Sequence, residues 1–167
     1  MFAFVPFANK HFSLFENWIK QDHVKRFWTE SKVGDELREK LLSSAATTYV
    51  NRFVIEESGS PIGYIQYYDA VAVGEGWWST EKPGTFGMDI FIGIPNRVGI
   101  GLGPKIIREF ISFLLSQEPN AREIIIDPSP LNQNAIRAYE KVGFVREKLM
   151  NTPDGQAVLM RMNLQHG

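Results

Sequence analysis

The sequence contains no cysteine, which removes disulfides, thiolate nucleophiles and cysteine metal sites in one step and is compatible with a reducing cytoplasm, the expected location. An excess of charge is missing as well. With 18 Lys plus Arg against 19 Asp plus Glu the formal net charge is -1, so no global basic field draws in nucleic acid, and none is expected as a partner. The only histidines, His11, His23 and His166, are scattered, lack metal-ligand spacing and read as solvated surface, so no metal is expected. No apolar run approaches the roughly 20 residues of a membrane span, and the opening "MFAFVPFANKHF" lacks a basic n-region and a small-residue cleavage site. A soluble protein without a membrane partner is expected. Internal repeats and low-complexity tracts are also absent. What remains is 167 residues with 44% hydrophobic content, enough for one ordinary domain over residues 1–167 with a sizeable core.

Strand-like and helix-like patterns alternate along this chain. "FAFVPF" predicts a short strand, and Phe12, Phe15, Trp18 and Ile19 recur at helical spacing. A second, polar-faced helix is expected from Asp35 to Ser44. "TYVNRFVIEE", the turn cluster "SGSPIG" and "YIQYYDA" predict an antiparallel hairpin from Tyr49 to Asp69. Residues 70 to 85 look irregular, and a connection of that length inside a compact domain is usually functional or disordered. "FGMDIFIGI" is a nearly continuous apolar strand, and Pro104 suits the first position of the helix that follows it. Ile106/Ile107, Phe110/Ile111 and Leu114/Leu115 give that helix an apolar stripe. "REIIID" predicts a buried strand, "NQNAIRAYEKV" a helix stopped by Gly143, and "FVREKLM", "TPDG" and "QAVLMRMNL" a closing hairpin. The expected class is α/β or α+β: one mixed sheet flanked by helices.

Between the apolar strand and its helix lies "NRVGIGLG", with Gly99, Gly101 and Gly103 at every second position. Strand, glycine turn and helix direct several N–H groups and the positive end of a helix at one point, which is the geometry of an anion site. A Walker loop needs Gly-Lys-Ser/Thr after its spacer, whereas Gly103 is followed by Pro104. A dinucleotide fingerprint needs Gly-x-Gly-x-x-Gly, and the spacing here is different. The glycines alone do not decide between phosphate binding and simple turn geometry.

About thirty residues on, in "PLNQNAIRAYEKVGF", Asn132, Ala135 and Tyr139 are spaced by three and four and share one helix face. Together the two segments resemble the acetyl-CoA-binding core of the GNAT N-acetyltransferase superfamily, with its glycine-rich pyrophosphate loop and Asn…Ala…Tyr-Glu-Lys-x-Gly-Phe helix. "PIGYIQYY", "GEGWW", "GMD", "GLG", "DPSPLNQNAIRAYEKVGF" and "TPDGQAVLM", in that order, resemble the bacterial aminoglycoside 6'-N-acetyltransferases, and the likeness runs from Phe4 to Leu164. It implies a single-domain GNAT fold with a mostly antiparallel sheet. It also implies acetyl-CoA as cofactor, held by Val98, Gly99, Ile100, Gly101, Leu102, Gly103, Pro104 and Lys105, by Phe91 and Ile92 of the strand, and by Asn132, Ala135 and Tyr139. One departure stands at Val98, where the superfamily often carries Gln or Arg, so a side-chain contact to the cofactor is missing there.

The acceptor side can be read from residue chemistry as well. Between Asp69 and Asp89 the acids are Asp69, Glu75, Glu81 and Asp89 and the one base is Lys82, a local concentration of negative charge in a nearly neutral chain. Trp77 and Trp78 beside Glu75 offer indole faces to an ammonium group or a sugar. Asp89 stands alone in its apolar strand, and an ionised carboxylate there is costly unless it is paired, hydrogen-bonded or facing a cleft. Asp127 ends a strand where ligands often bind, or simply opens an Asp-Pro turn. Asp154 by itself is a turn aspartate. The resemblance implies that Glu75, Asp89, Asp127 and Asp154 bind substrate, with Glu75 longer than the usual Asp, and adds Trp28 and Gln66 to the same side.

Lacking cysteine and a Ser/His pair at a recognisable elbow, the chain is expected to transfer acetyl directly to an amine. Asp89 is the candidate base, Phe91 or Ile92 the oxyanion donor, and Tyr139 the proton source for the departing thiolate. The expected acceptor is a small cationic amino sugar and the expected assembly a monomer or weak homodimer. A different amine acceptor (a protein N-terminus or lysine, a polyamine, a siderophore precursor) and a non-catalytic acyl-CoA-binding module are the alternatives, since fold does not fix substrate.

Overall fold

The computed structural model describes residues 1–43, 49–73, 81–152 and 154–164. Its strands are β1 (Phe2–Pro6), β2 (Val50–Glu57), β3 (Ser60–Asp69), β4 (Thr85–Ile92), β5 (Glu123–Ile126), β6 (Val145–Thr152) and β7 (Gly155–Asn163). They form one sheet in the order β1-β2-β3-β4-β5-β7-β6. β1–β2, β5–β7 and β6–β7 pair antiparallel, and β4–β5 pair parallel. The α-helices among the described residues are α1 (Phe12–Trp18), α2 (Asp22–Lys25), α3 (Gly34–Leu42), α4 (Ala70–Val73), α5 (Leu102–Gln117) and α6 (Gln133–Val142). The mixed, mostly antiparallel α/β architecture expected from the sequence is therefore the one observed.

Local chemistry accounts for most element boundaries. β2 turns into β3 through only Ser58 and Gly59, both with positive φ (51° and 79°), the backbone that a tight hairpin requires. The turn is thus shorter than "SGSPIG" suggests, because Ser60 and Pro61 already belong to the strand. β4 and β5 are parallel because the connection between them carries α5, a crossover that a tight turn cannot supply. The polar-faced helix runs over Gly34–Leu42, slightly earlier than expected, and the short α2 has too few residues to show a period.

Contacts divide the chain into two compact units, Met1–Gln66 with Asp89–Val98, and Tyr67–Met88 with Gly99–Gly167. The first has an aromatic core: Phe12, Phe15, Trp18, Val24, Leu37, Leu41, Val54, Tyr64 and Phe91. Within it a Cβ on Gly93 would run into the Trp18 ring, so glycine there is a packing requirement. In the second unit α5 buries Ile106, Ile107, Phe110 and Leu114, and β5 buries Ile124, Ile125 and Ile126 in succession. A continuous apolar run of this kind belongs to a strand covered on both faces.

The second unit also holds a charged knot. Arg161 on β7 donates from Nη1 to Glu81 (2.7 Å) and Glu123 (3.0 Å) and from Nε to Glu147 (3.0 Å). Thr85 donates its hydroxyl to the same Glu123 oxygen at 3.0 Å. The Glu81 and Glu147 carboxylates push the Arg161 pKa above its ordinary value, and in return Arg161 holds Glu147 below the usual carboxylate range. Glu147 therefore stabilises the fold above its unfolded pKa, and this contribution fades as pH falls through the folded value. Replacing the hub leaves Glu81 without its cation and Glu123 with only the Thr85 hydroxyl, and their side chains are only 11% and 20% exposed. Arg161→Leu is expected to cost about 2–3 kcal/mol at pH 7 and clearly less at low pH, where the stabilisation that Arg161 gives to ionised Glu147 has faded. Urea denaturation at the two pH values measures it.

Candidate active site

In the first unit, the two-residue period of a strand puts Tyr64 and Gln66 of β3 on one face, and does the same for Asp89 and Phe91 of β4. The Gly93 N–H donates to the Ile62 carbonyl at 2.8 Å, in keeping with the register that sets the two pairs side by side. Tyr64 stacks on Phe91 with centroids 5.5 Å apart and planes 22° from parallel. One rung further, Gln66 donates from Nε2 to Asp89 Oδ2 at 2.9 Å. Half-buried Trp28 meets both rings edge-on, 5.6 Å from Tyr64 and 4.9 Å from Phe91. Three residues expected on the acceptor side, Trp28, Gln66 and Asp89, are thus gathered by one aromatic platform. The Phe91 side chain is core, which leaves its main chain as the part a ligand can address.

Desolvation raises the Asp89 pKa above the ordinary aspartate value, and the Gln66 hydrogen bond opposes it more weakly. The residue keeps partial solvent access, so the carboxylate is neither lost in the core nor freely hydrated. Such a group is a better base than a surface aspartate, because it binds a proton more tightly.

The histidine expectation needs correction. His11 is buried, accepts the Ala8 N–H at Nδ1 (2.9 Å) and has its pKa lowered by burial and by nearby Lys10. It is a neutral local cap of the chain. His23 on α2 is half-buried and donates from Nε2 to the Ile92 carbonyl at 2.8 Å. Both bind main-chain groups, a role that the spacing of the histidines gives no means of seeing, while His166 lies outside the described residues.

In the second unit the glycine loop feeds α5. Gly99 and Gly101 have φ of 76° and 84°, and a Cβ on either would meet nothing within 4 Å. Their glycines answer a backbone requirement and leave open space above the chain. Gly103 is different, since its added Cβ would touch Ala138 of α6 at 3.6 Å. Gly101 is the N-cap and has no side chain to cap α5, and among the described residues no other side chain does so, which leaves the first N–H groups of a 16-residue helix for another acceptor. Pro104 sits third in the helix rather than first; there too its missing N–H would have had no intrahelical partner. Leu102 and Pro104 are buried, Lys105 is exposed, and Val98 and Ile100 are 38% and 56% exposed on either side of Gly99.

Asn132 is the N-cap of α6, accepting the Ala135 N–H at 3.3 Å. Part of its side chain is therefore committed to holding the helix. Tyr139 is buried against Phe144, with ring centroids 5.7 Å apart. Asp127 follows β5 and is half-buried. Asp154 is exposed in the β6–β7 turn, which the Thr152 hydroxyl closes on the Gly155 carbonyl at 2.8 Å. Glu75, Trp77 and Trp78 lie outside the described residues. A further residue of this cluster, absent from the sequence expectations, is Tyr64, whose hydroxyl donates to Gln66 Oε1 at 2.7 Å. The available signal was its two-residue spacing from Gln66.

The second unit thus offers a helix start whose N–H groups face open space, and the first unit a shielded carboxylate with a raised pKa. The chain belongs to the GNAT acetyltransferase family, whose acetyltransferase domain matches residues 8–152. The aminoglycoside N(6')-acetyltransferase type 1 of Klebsiella pneumoniae is 38% identical to it over 148 residues, covering 86% of this chain and 73% of that protein. The crystal structure of aminoglycoside acetyltransferase AAC(6')-Ib in complex with coenzyme A has a TM-score of 0.89 at 34% identity and covers 98% of this chain and 95% of its own. The same enzyme with coenzyme A and kanamycin gives 0.88 at 34% identity, with coverage of 98% and 95%.

The two loop glycines with different roles give a paired test. Gly101→Ala forces a side chain into the left-handed region and is expected to cost about 1–2 kcal/mol in chemical denaturation. Gly103→Ala, with only an ordinary contact to Ala138, is expected to stay within about 0.5 kcal/mol of the parent or to gain slightly.

Proposed function

We propose that this chain transfers the acetyl group of acetyl-CoA to the 6'-amine of an aminoglycoside-type amino sugar, the reaction named for its relatives, by direct attack within a ternary complex. The observation that carries the acceptor chemistry is Asp89, a carboxylate with a raised pKa, held by Gln66 beside Trp28. For the cofactor, the supporting observation is the glycine loop, whose open space above Gly99 and Gly101 and uncapped helix N-terminus fit a pyrophosphate.

We assign the pyrophosphate to the main chain of Val98 to Lys105, and the rest of the cofactor to Phe91, Ile92, Asn132, Ala135 and Tyr139. Bound there, acetyl-CoA supplies an acyl group activated as a thioester. An alkylammonium has a pKa near 10 in water, so a base must take its proton before the amine can attack, and Asp89 is given that role, directly or through a water. The Phe91 or Ile92 N–H is the proposed donor to the developing oxyanion, and Tyr139 the proposed acid for the leaving thiolate. Glu75, Asp127, Asp154, Trp28, Gln66, Trp77 and Trp78 are proposed to receive the cationic sugar. No helix among the described residues is long and apolar enough to cross a membrane. We further propose one functional N-acetyltransferase domain, 1–167, working in the cytoplasm as a monomer or weak homodimer.

Thiol release from acetyl-CoA, followed over a panel of amines, tests this assignment. Turnover is expected with kanamycin and not with peptides or polyamines; cofactor binding without turnover on any amine would instead mark a binding module. Asp89→Asn is expected to lower kcat about 10²–10³-fold while leaving acetyl-CoA affinity within about twofold. Because burial raises the Asp89 pKa, the acid limb of the kcat/KM profile is expected above the 3.8 of an ordinary aspartate, with activity lost as pH falls through it. Tyr139→Phe is expected to slow turnover about tenfold or less without abolishing it, since a thiol pKa near 8.5 makes the last proton a small help.

A further inference from the structure

The hydrogen bonds behind Asp89 form a chain with one direction. An ionised carboxylate only accepts, so Gln66 must present its amide nitrogen to Asp89 Oδ2, as it does at 2.9 Å. Its carbonyl oxygen must then face the other way, where the Tyr64 hydroxyl donates to it at 2.7 Å. With its own hydrogen committed, the Tyr64 oxygen can only accept, and the Arg52 guanidinium, whose positive charge acts on Tyr64, can only donate. A fixed cation thus stands at one end and a carboxylate at the other, and every group between them is polarised in the same sense. Tyr64 has no solvent exposure, its pKa is pushed far up by burial, and its ring is clamped by Phe7, Phe15, Trp28 and Phe91. Its hydroxyl therefore stays protonated and its position is set by packing.

We propose that Tyr64 is a positioning residue for the acetyl transfer: its buried hydroxyl fixes the orientation of the Gln66 amide, which occupies Asp89 Oδ2 and leaves Oδ1 as the oxygen that takes the proton from the incoming ammonium. A proton on Oδ2 would set an O–H donor against an N–H donor, so the chain selects the oxygen as well as supporting the charge. Among the described residues Asp89 Oδ1 has no protein hydrogen bond. The other ionisable groups acting on Tyr64 are Arg52, Asp89 and Glu30, the last itself paired with Lys40 at 2.9 Å. This inference rests on Asp89 being the base, as proposed above.

The test uses the full chain, kanamycin and acetyl-CoA. Tyr64→Phe keeps the ring and removes the donor. It is expected to lower kcat about tenfold, to leave KM for acetyl-CoA unchanged, and to move the acid limb of kcat/KM upward by about half to one pH unit, because the carboxylate loses its oriented donor. In a Gln66→Ala background the same substitution is expected to change neither kcat nor the limb, since Tyr64 then has nothing to orient. A parent-like pH profile for Tyr64→Phe, or an equal effect with and without Gln66, overturns the proposal. Should Tyr64→Phe fail to fold, Arg52→Gln replaces it: a shift that disappears in the Gln66→Ala background supports the chain, and one that persists is plain Coulomb repulsion and overturns it. If Asp89→Asn keeps parental activity, the assignment of the base fails instead, whatever Tyr64 does.

Discussion

A carboxylate in an apolar strand is the constraint around which the first unit is organised. Asp89 interrupts "FGMDIFIGI", and taking its charge out of water unaided would cost several kcal/mol. Among the described residues the fold offsets that with one directed donor, Gln66, and with partial solvent access, and the balance leaves the pKa raised rather than normal. Aromatic packing makes this possible. Tyr64, Phe91 and Trp28 hold the neighbouring rung rigid, so the Gln66 amide meets the carboxylate without the entropy cost of a surface pair.

The glycine loop solves an opposite electrostatic problem with main chain alone. Where the segment from Asp69 to Asp89 concentrates negative charge in the sequence, the loop leaves N–H groups without a side-chain cap at the start of α5, and no basic side chain stands at Val98. Main-chain donors cannot change rotamer. A site made of them is fixed once the left-handed turns at Gly99 and Gly101 are fixed, and those turns depend on residues without a Cβ. Gly103 serves the neighbouring helix instead, so three glycines that look equivalent in sequence perform two different tasks.

The legibility of these features follows from the range of the forces behind them. Periodic burial marked β1, α1, β4, α5 and β5, because the side chains that decide them are near neighbours along the chain. Asp89 was legible for the same reason, as one polar residue in an apolar run. The roles of His11 and His23 were not, since a histidine's partner is a main-chain atom that any residue could supply. Nor could Pro104 be placed to the residue, because its missing N–H is tolerated anywhere in the first turn of a helix.

Composition and pattern by themselves determined the absence of thiol chemistry, the α/β class, the glycine turn between a strand and a helix, and the one carboxylate that had to face something polar. These are consequences of what each residue is and of what stands within a few positions of it. Only the tertiary structure decided that Gln66 meets Asp89, that Tyr64 orients Gln66 from behind, and that Arg161 gathers Glu81, Glu123 and Glu147. Hydrogen bonds and ion pairs act over about 3 Å, and which groups come that close is set by strand register and core packing across long stretches of chain, where local sequence carries no distance information.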